Sequence, residues 1–244
     1  MKSFLYMSAI LILFSSSESY SQKVSGIDLG SGYSIMPSVN YVSSASIQLN
    51  AFSTDIFEKS QTEELYGGYG YGISIRKKFF RQDLSFGIST EYLKIYDDEL
   101  TQTFENDVTR VRARVTEELW MVPVEFTGYF NIPNFTEDLN IYLGGGVGVY
   151  FGDRKRTLSN IESKTISKES SFSFVILSGL EYVISKQVAG VFEVRFRQGE
   201  YKVKSEYPVS SITINGNTFP LEKNLNSKIF VDGLKLSLGI AYNF

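Results

Sequence analysis

The most constraining feature of this sequence is an alternation of apolar and polar residues with a period of two. It is plainest in the last eleven residues, LKLSLGIAYNF, where every even position from Leu234 to Phe244 is apolar and every odd position is small or polar. Similar alternation occupies residues 69–79, 84–92, 120–130, 139–151, 172–184 and 188–197. Because successive side chains of a β-strand point to opposite faces, the pattern predicts seven strands and an all-β chain.

The predicted connections alternate in length. Residues 80–83, 131–138 and 185–187 are short turns, whereas residues 97–111, 152–170 and 198–228 are longer and polar. This is typical of an eight-stranded antiparallel up-and-down transmembrane β-barrel with short periplasmic turns and longer extracellular loops. An even barrel needs one more strand before residue 66. Val24–Ile35 and Val39–Leu49 both alternate; we favour the first as strand one and place the second inside a long first loop.

The N-terminus has the pattern of a secretory signal peptide. Lys2 precedes the apolar stretch FLYMSAILILF, and Ser19 and Ser21 supply small residues before Gln22. We therefore expect a signal peptide over residues 1–21 and a barrel domain over residues 22–244, exported to the outer membrane. The alternative is a membrane anchor or a buried N-terminal helix. Beyond this stretch no run of 18 or more apolar residues appears.

The two faces of the predicted strands decide between a soluble and a membrane barrel. One face is large, aliphatic and aromatic, whereas the other carries Gly, Ser, Thr, Tyr and isolated charges, which suits a crowded barrel interior. Buried charges must be paired. The predicted interior charge network comprises Arg76, Glu91, Glu125, Glu181, Glu193, Arg195, Arg197 and Lys235. The alternative is that these residues form the wet face of a sandwich.

Aromatic residues near the strand ends fit the interfacial girdles of a membrane barrel. They are Tyr66, Tyr92, Tyr96, Phe130, Tyr142, Phe151, Tyr182, Tyr242 and Phe244. The terminal strand ending on Phe244 is similar to the signal that the barrel-assembly machinery reads, so we assign Tyr242 and Phe244 to that signal.

The composition excludes much catalytic chemistry. The chain has 244 residues with no histidine and no cysteine, and no spacing singles out a histidine-free active site. We expect no enzyme activity, no cofactor and no metal. Asp97, Asp98 and Glu99 could bind a divalent cation or simply be solvated, and Arg154–Arg156 could meet lipid phosphates or be ordinary loop charges. The net charge of −3 gives no electrostatic case for nucleic acid.

Three segments resemble a known family. LWMVPVEFTGYFNI followed by LNIYLGGGVGVYFG resembles the central hairpin of the PorT-like outer-membrane β-barrel family of Bacteroidetes. YGGYGYGISIRKKFFRQDLSFGISTEYLKIY and FSFVILSGLEYVISKQVAGVFEVRFRQGEY resemble its earlier and later hairpins. The resemblance implies an eight-stranded barrel that begins soon after the signal peptide, and it carries no catalytic motif.

These observations lead to one functional expectation and two alternatives. We expect a packed barrel that acts through its surface loops in envelope integrity, adhesion, or a secretion or assembly complex. Its expected partners are outer-membrane lipids or lipopolysaccharide, the barrel-assembly machinery and an envelope protein. The alternatives are a narrow pore or transporter for small solutes, which a filled lumen disfavours, and a histidine-free lipid-modifying enzyme.

Overall fold

The computed structural model describes residues 32–79, 83–106, 109–133, 136 and 138–244. Its strands are β1 (Tyr33–Gln48), β2 (Thr62–Phe79), β3 (Leu84–Glu105), β4 (Arg110–Ile132), β5 (Leu139–Leu158), β6 (Ile161–Glu162), β7 (Lys164–Glu169), β8 (Ser171–Val183), β9 (Val188–Gln198), β10 (Glu200–Glu206), β11 (Ser211–Ile214), β12 (Asn217–Pro220), β13 (Asn224–Phe230) and β14 (Leu234–Asn243). A single-turn helix, α1 (Ile56–Ser60), follows β1. The expected signal peptide lies outside the described residues.

Eight of these strands form a closed antiparallel ring. Its order is β1, β2, β3, β4, β5, β8, β9 and β14, and β14 pairs with β1 from Ser34–Asn243 to Val42–Lys235. The three short connections, the start of β1 and the end of β14 lie at one end of the barrel, called here the short-turn end. The other end is the loop end. The predicted fold class is therefore confirmed. None of the described residues belongs to a helix long and apolar enough to cross a membrane.

The predicted position of strand one was wrong. The first strand runs from Tyr33 to Gln48 and thus contains most of the segment that we had placed in a loop. Val24–Ile35 falls largely outside the described residues. The prediction failed because one face of this strand, which includes Ser38 and Asn40, is more polar than a buried strand face usually is. It is in fact the face that joins the polar interior.

The predicted long loops are largely strands. β3 continues to Glu105, and β4 already begins at Arg110. The strands β7, β10 and β13 extend the wall where the sequence predicts loops. Their outward side chains are mainly charged, because this part of the wall lies beyond the apolar band. Without an apolar outer face, the alternation that identified the membrane strands is lost.

At the loop end the wall separates into two sheets. The β2–β3 ladder begins at Tyr69 and Lys94, whereas β2 pairs with β1 from Thr62 onward. One sheet therefore contains β2, β1, β13, β10 and β7, and the other contains β3, β4, β5 and β6. The β11–β12 hairpin turns at Asn215 and Gly216, both with positive φ, and Ile212 and Phe219 pack into the end of the space between the sheets.

A band of exposed apolar side chains surrounds the ring. The girdle residues Tyr66, Tyr92, Tyr96, Phe130, Phe151, Tyr182, Tyr242 and Phe244 all project outward. Tyr142 is the exception, because it is 1% exposed and lies inside the barrel; its assignment to the girdle was wrong. A water-exposed surface of this kind would be unfavourable, and it fits contact with lipid.

Candidate functional site

The barrel interior is filled by layers of side chains that alternate between apolar and ionic. The inward residues of β4 sample them in order from the short-turn end: Tyr129, Glu125, Met121, Glu117 and Val115. Because the inward face of one strand crosses every layer, the sequence of β4 already contains the order of the whole interior.

Three of the layers are apolar. The lower apolar layer contains Met36, Tyr129, Tyr142, Val175, Leu177, Ala189, Val191 and Ala241. The middle apolar layer contains Val42, Ala45, Ile47, Leu65, Leu93, Ile95, Leu119, Met121, Tyr150, Tyr201, Val203, Ile229 and Val231. The upper apolar layer contains Phe104, Ala113, Val115, Leu158, Tyr207, Ile212, Phe219, Leu221 and Leu225.

The lower ionic layer lies between the lower and middle apolar layers. Arg195 connects two carboxylates, since its Nη1 is 2.7 Å from Glu125 Oε2 and its Nη2 is 2.7 Å from Glu193 Oε2. Arg197 Nη1 is 2.6 Å from Glu91 Oε1. Lys235 Nζ pairs with the other oxygen of Glu91. These contacts join β3, β4, β9 and β14 across the lumen.

Arg76 extends this layer toward the short-turn end. Its Nη2 pairs with Glu193 Oε1, and its guanidinium carbon is 4.3 Å and 4.9 Å from the ring centroids of Tyr129 and Tyr142. Tyr142 also donates a 2.6 Å hydrogen bond to Glu193 Oε1. Gly179 leaves room for the Tyr142 ring, which a Cβ at that position would overlap. The arginine is thus held by charge and by two aromatic faces.

Every carboxylate oxygen of the layer is engaged. Glu91 Oε2 accepts a 2.6 Å hydrogen bond from Asn40, and Glu125 Oε1 accepts one of 3.1 Å from Tyr150. A cavity beside Asn40 and Arg195 has a volume of about 10 Å³, room for about one water. The charged groups of the layer are thus paired with one another, and the space beside them is too small for a substrate.

The structure brings together seven of the eight residues of the predicted charge network. Glu181 lies apart: it is half-buried on β8 near the short-turn end, and it forms no ion pair with any described residue. The alternation predicts that Glu181 faces inward, but it does not predict how far along the barrel axis this residue lies. Asn40 was missed because its strand had been placed in a loop.

A second charged cluster, the upper ionic layer, was not predicted. Glu117 Oε1 is 2.6 Å from Arg154 Nη2, and it also pairs with Arg156. Arg156 makes a bidentate contact with Glu63, at 2.6 Å and 3.0 Å. Because Glu63 belongs to one sheet and Arg156 to the other, this contact clamps the two sheets together. Arg154 and Arg156 lie an even number of residues beyond Tyr150 on the same strand, so they face the interior as Tyr150 does. Extending the alternation of β5 past Tyr150 is the signal that would have predicted their inward position.

This arrangement corrects the expectation for Arg154–Arg156. Arg154 and Arg156 are 2% and 1% exposed inside the barrel, so neither can reach lipid phosphates. Lys155 projects outward and pairs with Glu162 at 2.9 Å. Asp97 is also buried, where its carboxylate accepts hydrogen bonds from the backbone N–H groups of Tyr66 and Glu99. No group of three or more potential ligands for a metal occurs among the described residues.

The upper ionic layer lies beyond the apolar band, and its charged groups alter one another's pKa values. Burial acts to raise the pKa of Glu117, but the guanidinium groups of Arg154 and Arg156 outweigh burial and hold that pKa below its usual 4.5. Burial acts to lower the pKa of Arg156, but Glu117 and Glu63 more than offset it and raise the pKa. Glu117 and Arg156 are therefore both charged at neutral pH.

No protein-family model and no curated protein matches the chain. Among solved structures, the outer membrane protein OprG from Pseudomonas aeruginosa is 12% identical with a TM-score of 0.57, and the match covers 87% of this chain and 96% of that one. Neisserial surface protein A is 15% identical with a TM-score of 0.49, over 88% and 98% of the two chains. The likeness to OprG, together with the closed ring, defines the class: an eight-stranded β-barrel of the outer-membrane type.

The upper ionic layer makes the loop end sensitive to acid. Because the folded pKa of Glu117 lies below 4.5, its ionised form stabilises the fold at every pH above 4.5. That contribution is lost as the pH falls from 4.5 through the lower folded value. We expect the protection of backbone amides in β3 and β4 near Gln102 and Val115, measured against the intrinsic exchange rate at each pH, to be high at neutral pH and to fall in this acid range.

The substitution Glu117→Gln should speed that exchange already at pH 7, by an amount equivalent to about 3 kcal/mol or more, because it leaves two buried arginines short of a counter-ion. Glu118→Gln is the matched control. Glu118 is the next residue, faces outward and pairs with Lys94 at 2.6 Å, so its loss should cost less than about 1 kcal/mol. Equal effects of the two substitutions would contradict the assigned role of the upper ionic layer.

Proposed function

We propose that this protein is a small integral outer-membrane barrel that acts through its loop end, with the filled interior serving as scaffold. The observation that carries the proposal is the alternation of three apolar and two ionic layers, which leaves the outer surfaces as the place for function. The proposal includes export with cleavage after Ser21, a loop end that faces the exterior, and membership of the PorT-like family, on the resemblance of the three hairpins. Envelope integrity, adhesion, or a place in a secretion or assembly complex are the roles open to such a surface.

The loop end presents apolar side chains away from the lipid band. Ile56 and Phe57 of α1 are 79% and 82% exposed. The helix is held in place, since Asp55 accepts a 2.8 Å hydrogen bond from Phe57 N and Gln48 donates one of 2.5 Å to Lys59 O. Exposed apolar residues on a fixed element are typical of a protein contact. We propose an envelope protein as the partner of this surface.

A photo-crosslinking amino acid in place of Phe57 tests this contact in intact cells. We expect discrete protein adducts, because this side chain is largely exposed on an element at the loop end of the barrel. The control carries the same amino acid in place of Phe174, which is 69% exposed within the apolar band and should crosslink to lipid. Adducts at neither position, or the same protein adducts at both, would count against a partner at the loop end.

The alternative function, a narrow pore for small solutes, makes a different prediction. Because each ionic layer lies between two apolar layers, a hydrated ion meets no continuous polar path. We expect the purified protein to show no steady openings in a planar bilayer under voltage. Steady openings that disappear in Glu125→Ala or Arg195→Ala would establish the pore and overturn the scaffold role.

We also propose Tyr242 and Phe244 as the signal for the barrel-assembly machinery. Phe244 N donates a 3.0 Å hydrogen bond to Tyr33 O, and its carbonyl accepts one of 3.1 Å from Tyr33 N. Its ring is half-exposed beside Tyr33, with centroids 6.1 Å apart. The backbone therefore closes the ring, and the side chain is left accessible to a receptor.

The substitution Phe244→Ala separates the two contributions, because it keeps both backbone hydrogen bonds. We expect less heat-modifiable barrel in the outer membrane of cells, with refolding into detergent unchanged. Phe244→Tyr, which keeps an aromatic ring, should assemble as the unmodified protein does. Normal assembly of Phe244→Ala would argue against the signal, whereas poor refolding would indicate a stability effect instead.

A further inference from the structure

The apolar band contains a groove on its lipid-facing side. The groove has a volume of about 210 Å³ and is lined by the outward residues Ile88, Val124, Phe126, Val147, Val149 and Phe172. It exists because Val124 of β4 and the two valines of β5 are smaller than the aromatic side chains around them. Phe126 lies beside Val147 on the β4 side, and Phe172 lies beside Val149 on the β8 side. The result is a trough that crosses β3, β4, β5 and β8 and covers two successive outward positions of β5, Val147 and Val149.

A cationic and aromatic cluster lies above the groove toward the loop end. Lys168 Nζ is 2.5 Å from Asp153 Oδ2 and 5.1 Å from the centroid of the Trp120 ring. Asp153 is four residues beyond Val149 on the outward face of β5, roughly 13 Å along the strand, and the exposed ring of Phe151 lies between them on that face. Lys168 is therefore at the height where the apolar band gives way to charged residues.

The ion pair with Asp153 does not occupy the whole ammonium group of Lys168. Asp153 Oδ1 already accepts hydrogen bonds of 2.8 Å from Arg154 N and 2.8 Å from the Thr165 hydroxyl. Its carboxylate is thus held in place without the lysine. The Lys168 side chain is 45% exposed, so its ammonium can turn to a second anion beside the groove.

We propose that the groove and Lys168 together bind one membrane lipid with an anionic phosphate head group. The acyl chain lies over Val147 and Val149 and passes beside the ring of Phe151, and the phosphate meets the ammonium of Lys168 at the edge of the Trp120 ring. Two observations select this occupant. The groove is apolar and lies within the lipid-facing band, and the positive charge lies at the head-group end of the same strands. The proposal rests on the membrane placement proposed above.

Native mass spectrometry of the intact barrel in a neutral detergent tests the site, with palmitoyl-oleoyl phosphatidylglycerol as the probe lipid. We expect one lipid to be retained at low lipid concentration. Lys168→Glu should raise the Kd for this lipid roughly tenfold. Val147→Trp should weaken retention of phosphatidylglycerol and of uncharged palmitoyl-oleoyl glycerol alike, because it fills the trough.

The chain offers a matched control for each change. Lys228 also forms an ion pair, with Glu200 at 2.6 Å, and lies 4.9 Å from the Phe230 ring centroid, but the groove residues are on other strands. Val39 is an outward valine of β1, across the ring from β5, with 54% exposure against 48% for Val147. Lys228→Glu and Val39→Trp should leave retention unchanged. Heat-modifiable electrophoretic mobility checks that each variant is folded, and Val147→Phe serves if Val147→Trp is not.

Several outcomes would overturn the site. Equal losses in Lys168→Glu and Lys228→Glu would mean unspecific attraction of anionic lipid, and full retention in the groove-filling variant would mean that the groove is not used. A dimer that retains no lipid would mean that a second copy covers this face. If no lipid is retained while the protein stays a heat-modifiable barrel, the lipid site fails and the proposed role of the loop end stands.

Discussion

The structure depends on how charges are accommodated inside a ring of only eight strands. Such a ring encloses a space that side chains themselves fill. Each inward charge must therefore find its partner among the other inward side chains, because little water can enter to solvate it. Arg195 meets this requirement across the lumen through Glu125, and Arg197 does so through Glu91. The lower ionic layer thus fixes which strands face one another.

The apolar layers follow from the same requirement. A buried ion pair is strongest where its geometry is well defined and water is kept away from it. The middle apolar layer separates the two ionic layers, and the lower and upper apolar layers separate them from the ends. Water is thereby kept from competing with Glu117 and Arg156 or with Glu91 and Lys235. The same layers that protect the ion pairs also close the barrel to solutes, so the scaffold and the absence of a polar path have one cause.

Sequence alone predicts the membrane part of this fold well, and it loses accuracy where the lipid ends. Between Leu84 and Tyr92, or between Leu234 and Phe244, lipid on one side and the lumen on the other impose a strict alternation. Beyond the band, water replaces lipid and the outer face becomes charged, so Arg154 and Arg156 look like loop residues although their parity is unchanged. In β3 the parity itself changes, because the ladder shifts register between Asp97 and Leu100. Counting the alternation along the sequence cannot detect such a shift. The sequence predicts that Lys235 belongs to a network with interior glutamates, but it does not identify Glu91 as the partner. That identification requires the register of β14 against its neighbours.

The division of the wall into two sheets connects the interior to the loop end. Within the ring, backbone ladders join every neighbour, so loss of an ion pair weakens packing without opening the wall. At the loop end the ladder between β2 and β3 is missing beyond Tyr69 and Lys94, and side chains take its place. Glu63 and Arg156 then provide a connection that backbone hydrogen bonds provide elsewhere. α1, between β1 and β2, therefore lies on a sheet that the buried charge cluster joins to the opposite one on the β2 side, while Thr165 and Lys168 join it to Asp153 on the β7 side. A substitution inside the barrel can thus alter how the exposed residues of α1 are presented, without touching that surface.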